Sequence, residues 1–420
     1  MHNLDASLVR SCLDEAYERL KGEYVKSSVL GVVREYAYRS ILDLECWVLF
    51  CAVVDFQVPV VNRLLPMLRG LLGDVEGRGL KFIDLIFDDS LARDVFANFR
   101  WCGGVGFSHR LLKVDYVLSL FKGLRDFIGD YKSIGSYVKQ LYGDALRRGL
   151  SEPLEPCIKG LARALRGYVS KYLEDPEKLG LLIPDPDKGS ALKRLCLFFR
   201  WMARPYPDLG VWDFVDKRHL FVSLDEGVIR VLERAFGVKV GKASWDSVRN
   251  VSFFLRRVNA DDPAKYDYVL SRPLIMGYCK SDLKASKCVL CPLSTICSSA
   301  QLLSVEGLKR KPLRSRREAE IFDRFIACYS SMLNLNEYET EFPIGDYQVD
   351  AVLHGKDCTW YVVEVEEELT DVAIGQVVKY KTLFYRYKKQ LPKPLIICRR
   401  ADQELIKALE LDPGISVYIV

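Results

Sequence analysis

The chain has little histidine: His2, His109, His219 and His354 are the only four in 420 residues. No two stand at ligand spacing, so a histidine-built catalytic metal centre is not expected. A long apolar run is missing too. The longest, Cys46 to Val54, stops at Asp55, whereas a bilayer-spanning helix takes about 20 residues. No membrane partner is expected. There is no secretory signal, and the cysteine count is odd at thirteen. Both predict a reducing cytoplasm. Neither sign of charge dominates: 61 basic residues face 56 acidic ones, a net +5. Any case for nucleic acid therefore rests on local distribution. Gly103-Gly104-Val105-Gly106 has neither the following Lys-Ser/Thr nor the preceding strand of a phosphate loop, and reads as a turn between helices.

What is present is enough for two or three folded domains. Hydrophobic residues make up 49% and charged residues 28%, a globular balance. Apolar residues recur at three and four through the first 180 or so positions, as in Val114, Val117, Leu118 and Phe121, which predicts helices. A Pro/Asp-rich stretch, Leu182 to Ser190, precedes a predicted helix from Ala191 to Ala203 with Ser190 as N-cap. Another helix starts at Glu226. Two more, near Ser244–Val258 and Pro263–Leu270, lead to Cys279. After a basic segment the pattern changes. A helix from Arg317 to Leu333 is followed by strands at Tyr347–Leu353, Trp360–Glu366, Leu395–Cys398 and Ile415–Val420, with a helix from Thr370 to Tyr387 between the second and third. The expected layout is a helical domain over 1–300, a basic linker over 301–317, and an α/β domain over 318–420.

Four cysteines crowd at the end of the helical part. Cys279, Cys288, Cys291 and Cys297 are spaced C-x8-C-x2-C-x5-C. Four thiolates so close can hold a metal or a cluster, and the Cys288/Cys291 pair has the chelating spacing used for zinc and for iron. Between the first two lie Lys280, Lys284 and Lys287 against one acid, Asp282. Such a loop suits docking on a phosphate backbone, or is an ordinary solvated loop. Lys309, Arg310, Lys311, Arg314, Arg316 and Arg317 in the linker face one acid, Glu306. They form either a solvated hinge or a phosphate-contacting arm.

Upstream, Gly189-Ser190 opens a helix carrying Lys193 and Arg194, and Asp225 heads the next helix. A helix N-terminus offers free N–H groups to a phosphate. Asp225 is either a plain cap or a carboxylate held ionised by the helix dipole. The order of hairpin, aspartate and cysteine set resembles the helix-hairpin-helix DNA glycosylase superfamily that contains endonuclease III. Val222-Ser223-Leu224-Asp225-Glu226-Gly227 is similar to that family's catalytic-aspartate segment, and the cysteine loop falls where it carries a 4Fe-4S cluster. A closer resemblance, over roughly residues 40 to 280, is to an uncharacterised glycosylase-related family. It is carried by Gly189–Leu195, Leu197–Met202, Asp208–Trp212 and Asp261–Asp267. The resemblance implies base excision with Asp225 stabilising positive charge on the sugar after base flipping, DNA contacts from Gly189, Ser190 and Arg194, and a 4Fe-4S cluster, with Zn2+ the alternative. The hairpin lacks the family's Gly-x-Gly turn. The Schiff-base lysine of bifunctional members would fall near Ala191, two residues before Lys193.

The C-terminal domain has its own constellation. Asp350 on one strand and Glu364 on the next can meet by antiparallel pairing and bind Mg2+ or Mn2+. Glu366 shares the face of Glu364. This resembles the PD-(D/E)XK nuclease superfamily, a restriction-endonuclease-like fold. Glu318 and Glu320 lie on the preceding helix, where many members carry a further acid. Gln376-Val377-Val378-Lys379-Tyr380 is similar to the Gln-x-x-x-Tyr motif of RecB-type nucleases. One departure stands out: Glu366 occupies the place of the motif lysine, which Lys379 would have to supply. The sequence thus predicts a cytoplasmic DNA-repair-type protein, a helix-hairpin-helix glycosylase-like domain with a 4Fe-4S loop joined to a nuclease-like domain. It acts by base excision, by metal-dependent cleavage or by both. The alternatives are a DNA-binding module whose two sites have lost activity and a structure-specific nuclease with a glycosylase-derived reader.

Overall fold

The computed structural model describes residues 6–420 apart from 284, 287, 289–290, 294–296, 298, 300–314, 345–346 and 411–413. The chain divides into two compact units, Met1–Gln301 and Leu302–Val420. Lys284, Lys287, Lys309, Arg310, Lys311 and Arg314 lie outside the described residues.

The first unit is helical: α1 (Ala6–Lys26), α2 (Val29–Glu35), α3 (Ile41–Val54), α4 (Leu65–Gly77), α5 (Phe82–Phe87), α6 (Asp89–Asn98), α7 (Val114–Tyr131), α8 (Ile134–Arg147), α9 (Leu154–Val169), α10 (Leu179–Leu182), α11 (Lys193–Ala203), α12 (Glu226–Phe236), α13 (Trp245–Val258) and α14 (Asp267–Ile275). A short antiparallel hairpin, β1 (Arg100–Trp101) with β2 (Gly104–Val105), stands where a simple turn was predicted. The apolar run that cannot span a bilayer is α3, the centre of the core: Cys46 to Val54 is buried throughout. Helix α3 packs against α11. No helix among the described residues is long and apolar enough to cross a membrane.

Helix α11 begins at Lys193, two residues later than predicted, and Ser190 is not its N-cap. Leu192, buried, sits before it in the left-handed region at φ 50°. An L-residue pays for that geometry, so the surrounding core must hold it there. Gly189, at φ 69°, makes the preceding turn without that penalty, and its carbonyl accepts from the Trp245 N–H at 3.0 Å.

A buried charged network fixes the segment that leads to Asp225. Arg200 on α11 bonds Asp267 of α14 at 2.5 Å, and the same Asp267 oxygen accepts from the Ser223 hydroxyl at 2.6 Å. Arg204 donates to Asp262 at 3.0 Å, to Asp208 at 3.1 Å and to the Tyr17 hydroxyl at 3.1 Å. These groups have almost no exposure, and each carboxylate has a guanidinium partner, two arginines shared among three aspartates.

The second unit is a mixed five-stranded sheet in the order β3 (Leu335–Ile344), β4 (Tyr347–Gly355), β5 (Trp360–Glu368), β6 (Lys393–Arg400), β7 (Ser416–Ile419). The first three strands pair antiparallel and the last three parallel. The helix Asp371–Lys388 makes the β5–β6 crossover, and Gln403–Glu410 precedes β7. Ile321, Phe322 and Phe325 of the helix Arg316–Tyr329 close one sheet face on Leu353, Val363, Val365 and Ile397. Strand β3 was not predicted.

Candidate functional site

Two constellations deserve the chemistry, one in each unit. In the first, α11 and α12 bring their N-termini together. Asp225 caps α12, its Oδ1 accepting from the N–H groups of Gly227 at 2.9 Å and Val228 at 2.8 Å. Its Oδ2 accepts from Lys193 Nζ at 2.8 Å. One carboxylate thus serves both as cap and as ion-pair partner. Gly227 allows this approach, since a Cβ there would stand 3.0 Å from Asp225 Oδ1 and 3.1 Å from Leu274.

The pair is hemmed in by neighbouring atoms but not sealed. Lys193 keeps 33% and Asp225 39% of side-chain surface open to solvent. Burial pushes the Asp225 carboxyl up, but the Lys193 ammonium and the two capping N–H groups outweigh it, so it lies below its ordinary value. Burial opposes the charge of Lys193 as well. Asp225 and then Asp55 more than offset this, and the ammonium is held above its ordinary value. Asp55, at the C-terminus of α3, is pushed up by burial, pulled back by Lys193 and pushed up again by Asp225, ending above the usual carboxylate range.

Arg194 does not face a ligand. Its guanidinium donates to the carbonyls of Val53 (2.9 Å), Leu181 (2.5 Å) and Gly180 (3.3 Å) and lies over the Phe56 ring at 4.4 Å. Only 7% exposed, it ties α11 to the end of α3, and the expected phosphate contact is corrected accordingly. Gly189 is exposed and Ser190 half-buried, the Ser190 hydroxyl accepting from the Leu192 N–H at 3.4 Å.

The four cysteines follow α14. None of the thirteen in the chain is disulfide-bonded. Cys279, Cys291 and Cys297 pack partly buried against the core. Arg234, from the last turn of α12, gathers the loop, donating to Cys279 Sγ at 3.3 Å and to the carbonyls of Lys280 and Ser281, while its own carbonyl accepts from Cys297 Sγ at 3.4 Å. The Cys291 thiol is pushed up to about 12, first by burial and then by the other three cysteines. Burial and then Cys297 and Cys279 raise that of Cys288. Among the described residues no three or more His, Cys, Asp or Glu side chains are arranged to hold a metal ion. The donor set itself, four thiols beside a guanidinium, is of the soft kind that suits iron–sulfur clusters or zinc. Lys280 is exposed.

In the second unit, the β4–β5 register pairs Ala351 with Val363. One further step along it sets Asp350 opposite Glu364. There the ladder gives way: Asp350 Oδ2 accepts from the Val365 N–H at 2.8 Å. Glu364 is buried, 4% exposed. Burial raises Asp350 to about 6 against the Val365 hydrogen bond, with help from Glu318, Glu341 and Glu366. Burial and then Glu318 raise Glu366. Glu318 also closes a capping box with Ser315. Glu320 instead faces Arg316 at 3.5 Å, with 64% of its side chain exposed.

The helix Asp371–Lys388 packs on β5 and β6. Gln376 Oε1 is buried there and has no hydrogen-bond partner among the described residues, and Tyr380 is 7% exposed. Lys379, expected to replace the motif lysine, has its Nζ over the Tyr347 ring, 3.7 Å from the centroid. Sequence reasoning did not find Asp55. Its signal was an acid ending an apolar helix, where the dipole disfavours it.

The fold is that of a helical unit followed by an α/β unit. The family described as protein of unknown function (DUF2400) matches residues 36–276, more than half the chain, and the chain belongs to that family. Neither curated proteins nor solved structures give a match.

Proposed function

We propose that the protein acts on damaged or structured DNA, with base excision at the Lys193–Asp225 pair as its leading activity. The contact of Lys193 Nζ with Asp225 at 2.8 Å carries this reading. It joins the start of the helix after the hairpin to the aspartate segment, the two stretches on which the resemblance to helix-hairpin-helix glycosylases rests. Asp225, kept ionised, faces developing positive charge on a deoxyribose as the base departs. The capping N–H groups hold its other oxygen fixed, so orientation is set before substrate arrives. The open third of each side chain is the part a flipped nucleotide would meet.

The spacing and soft donor set of the cysteine loop support a 4Fe-4S cluster, with Zn2+ as the alternative, which Cys279, Cys288, Cys291 and Cys297 would hold. A bound cluster would fasten the loop after α14 and present Lys280 to a phosphate backbone. In the second unit Asp350 and Glu364 would hold Mg2+ or Mn2+. Such an ion supplies Lewis-acid stabilisation of a scissile phosphate and an activated water. The five-stranded mixed sheet and the splayed β4–β5 pair support the PD-(D/E)XK reading. A second reading, DNA binding without strand cleavage by this unit, is favoured by Lys379 lying on Tyr347 and by Glu366 in the lysine's place.

The test is an assay of the full chain on lesion-bearing, abasic, branched and single-stranded DNA, with and without Mg2+ or Mn2+. Metal-independent base release by the wild type is expected to fall at least about 100-fold in Asp225→Asn. Asn keeps the cap but not the charge opposite Lys193, so stability should fall only modestly, by about 1 kcal/mol. Base release that survives this substitution would sink the excision reading. Iron content and visible absorbance distinguish cluster from zinc.

A further inference from the structure

Charge that is balanced over the whole chain is concentrated in one stretch of the second unit. Between Asp371 and Asp402 there are eight basic residues and no acid. That +8 exceeds the +5 of all 420 residues. Most of the stretch forms the crossover helix Asp371–Lys388. Its buried residues, Ala373, Val377, Tyr380 and Phe384, follow at steps of four, three and four, which makes a single stripe against the sheet. The opposite stripe faces solvent. There Val378 and Tyr385, seven residues apart, are 45% and 48% exposed. Lys379 and Arg386 stand beside them at the same spacing, both exposed, and the exposed Lys389 follows the last turn. Seven residues of helix rise about 10.5 Å, so an apolar row and a cationic row run side by side over that length.

The ion pairs of this unit use Arg316, Arg317, His354 and Arg400. None among the described residues engages Lys379, Arg386 or Lys389. Lys379 Nζ rests on the Tyr347 ring, and that ring is itself 43% exposed, so a second aromatic borders the face. Single exposed apolar side chains are ordinary. A cationic row beside them selects among partners: it repels a basic surface or a second copy of itself and draws a polyanion. A purely apolar partner would leave the cations unmatched. A phosphate chain carrying flat bases matches both rows, its oxygens facing the cations and a base face lying on Tyr385. In a duplex the base faces are stacked on one another and closed to a ring on a helix surface. In a single strand they are open to it.

We propose that the outer face of the helix Asp371–Lys388 is a docking surface for single-stranded DNA, with Lys379, Arg386 and Lys389 along the phosphates and Tyr385 stacked on a base. The face is turned away from the sheet that carries Asp350 and Glu364, and it holds a strand without cutting it. The inference deepens the DNA reading and rests on it for the kind of polyanion, but needs neither base excision nor strand cleavage.

The test uses the full chain with fluorescein-labelled oligothymidine, a blunt duplex and a strand of abasic spacers, followed by fluorescence anisotropy over a range of salt. Tyr385→Ala is expected to weaken oligothymidine binding about tenfold and to leave the abasic strand and the duplex unchanged, while Tyr385→Phe binds as the wild type does. Arg386→Gln combined with Lys389→Gln is expected to lower the slope of log Kd against log salt by about 1.4, two phosphates at about 0.7 each. These side chains are exposed, so the fold tolerates the changes. Oligothymidine carrying 5-iodouracil, photocrosslinked and mapped by peptide mass spectrometry, separates this face from any DNA contact of the first unit, and the adduct is expected on Tyr385. Crosslinks confined to other peptides overturn the proposal. So do a wild type that does not bind oligothymidine, a Tyr385→Ala that binds it normally or loses the duplex equally, and an unchanged salt slope in the double variant. Absence of base release overturns the excision reading alone and leaves these titrations standing.

Discussion

A carboxyl raised by its surroundings can be read out without knowing any substrate. Asp350 is raised to about 6 by burial and neighbouring acids, above its ordinary 3.8. The sign follows from linkage. Its contribution to stability is full below pH 3.8 and is lost as pH rises through about 6. Ionised Asp350 therefore burdens the metal-free fold at pH 8. Asp350→Asn, whose amide oxygen can still accept from Val365, should stabilise the second unit at pH 8 by roughly 1–3 kcal/mol. That gain should vanish near pH 4, as urea titrations at the two pH values would show. Mn2+ should raise the melting temperature of the wild type but not of Asp350→Asn, and its effect should fade below about pH 6, where protons compete for the ligand. Some residues announced themselves in the sequence and others did not. Asp225 was legible because an acid before an amphipathic helix has a local signature. Arg194 was misread because charge suggests solvent, and only tertiary contacts reveal three carbonyls waiting inside.

At the scale of elements, the site depends on how α11, α12 and α14 are locked. Asp267 joins Arg200 to Ser223, two residues before Asp225. Asp267→Asn leaves the buried Arg200 guanidinium only Asp208, at 3.5 Å and shared with Arg204, as countercharge, and should cost about 2–4 kcal/mol. Equilibrium denaturation would check this, and a loss under about 1 kcal/mol would mean the network is looser than its geometry implies. The element pattern was largely readable: 3.6-residue periodicity gave the helices, and apolar alternation gave β4, β5 and β6. The start of α11 slipped by two residues because nothing local forecasts a buried leucine in the left-handed region. Strand β3 was missed for a different reason. Glu337, Glu339, Glu341 and Pro343 break the apolar signature of a strand, and its stability comes from pairing with β4.

For the whole molecule, the two units have separate hydrophobic cores. Calorimetry of the full chain should resolve two transitions. Asp267→Asn should lower one and leave the other in place, while Asp350→Asn should move only the second at pH 8. A single transition displaced by both substitutions would show that the cores melt together.

Strand β3 has one more consequence. It forms one edge of the sheet, and an edge is a template on which another chain can add a strand. The exposed Glu337 and Glu339 along it set like charges against any copy that tries, and Pro343 removes a donor. The acids that hid this strand from sequence reading thus act as guards against sheet-to-sheet growth. Their protection is screened by salt and neutralised by acid. Light scattering should therefore rise with ionic strength at low pH, and replacing Glu337 and Glu339 with threonine should bring that onset to neutral pH.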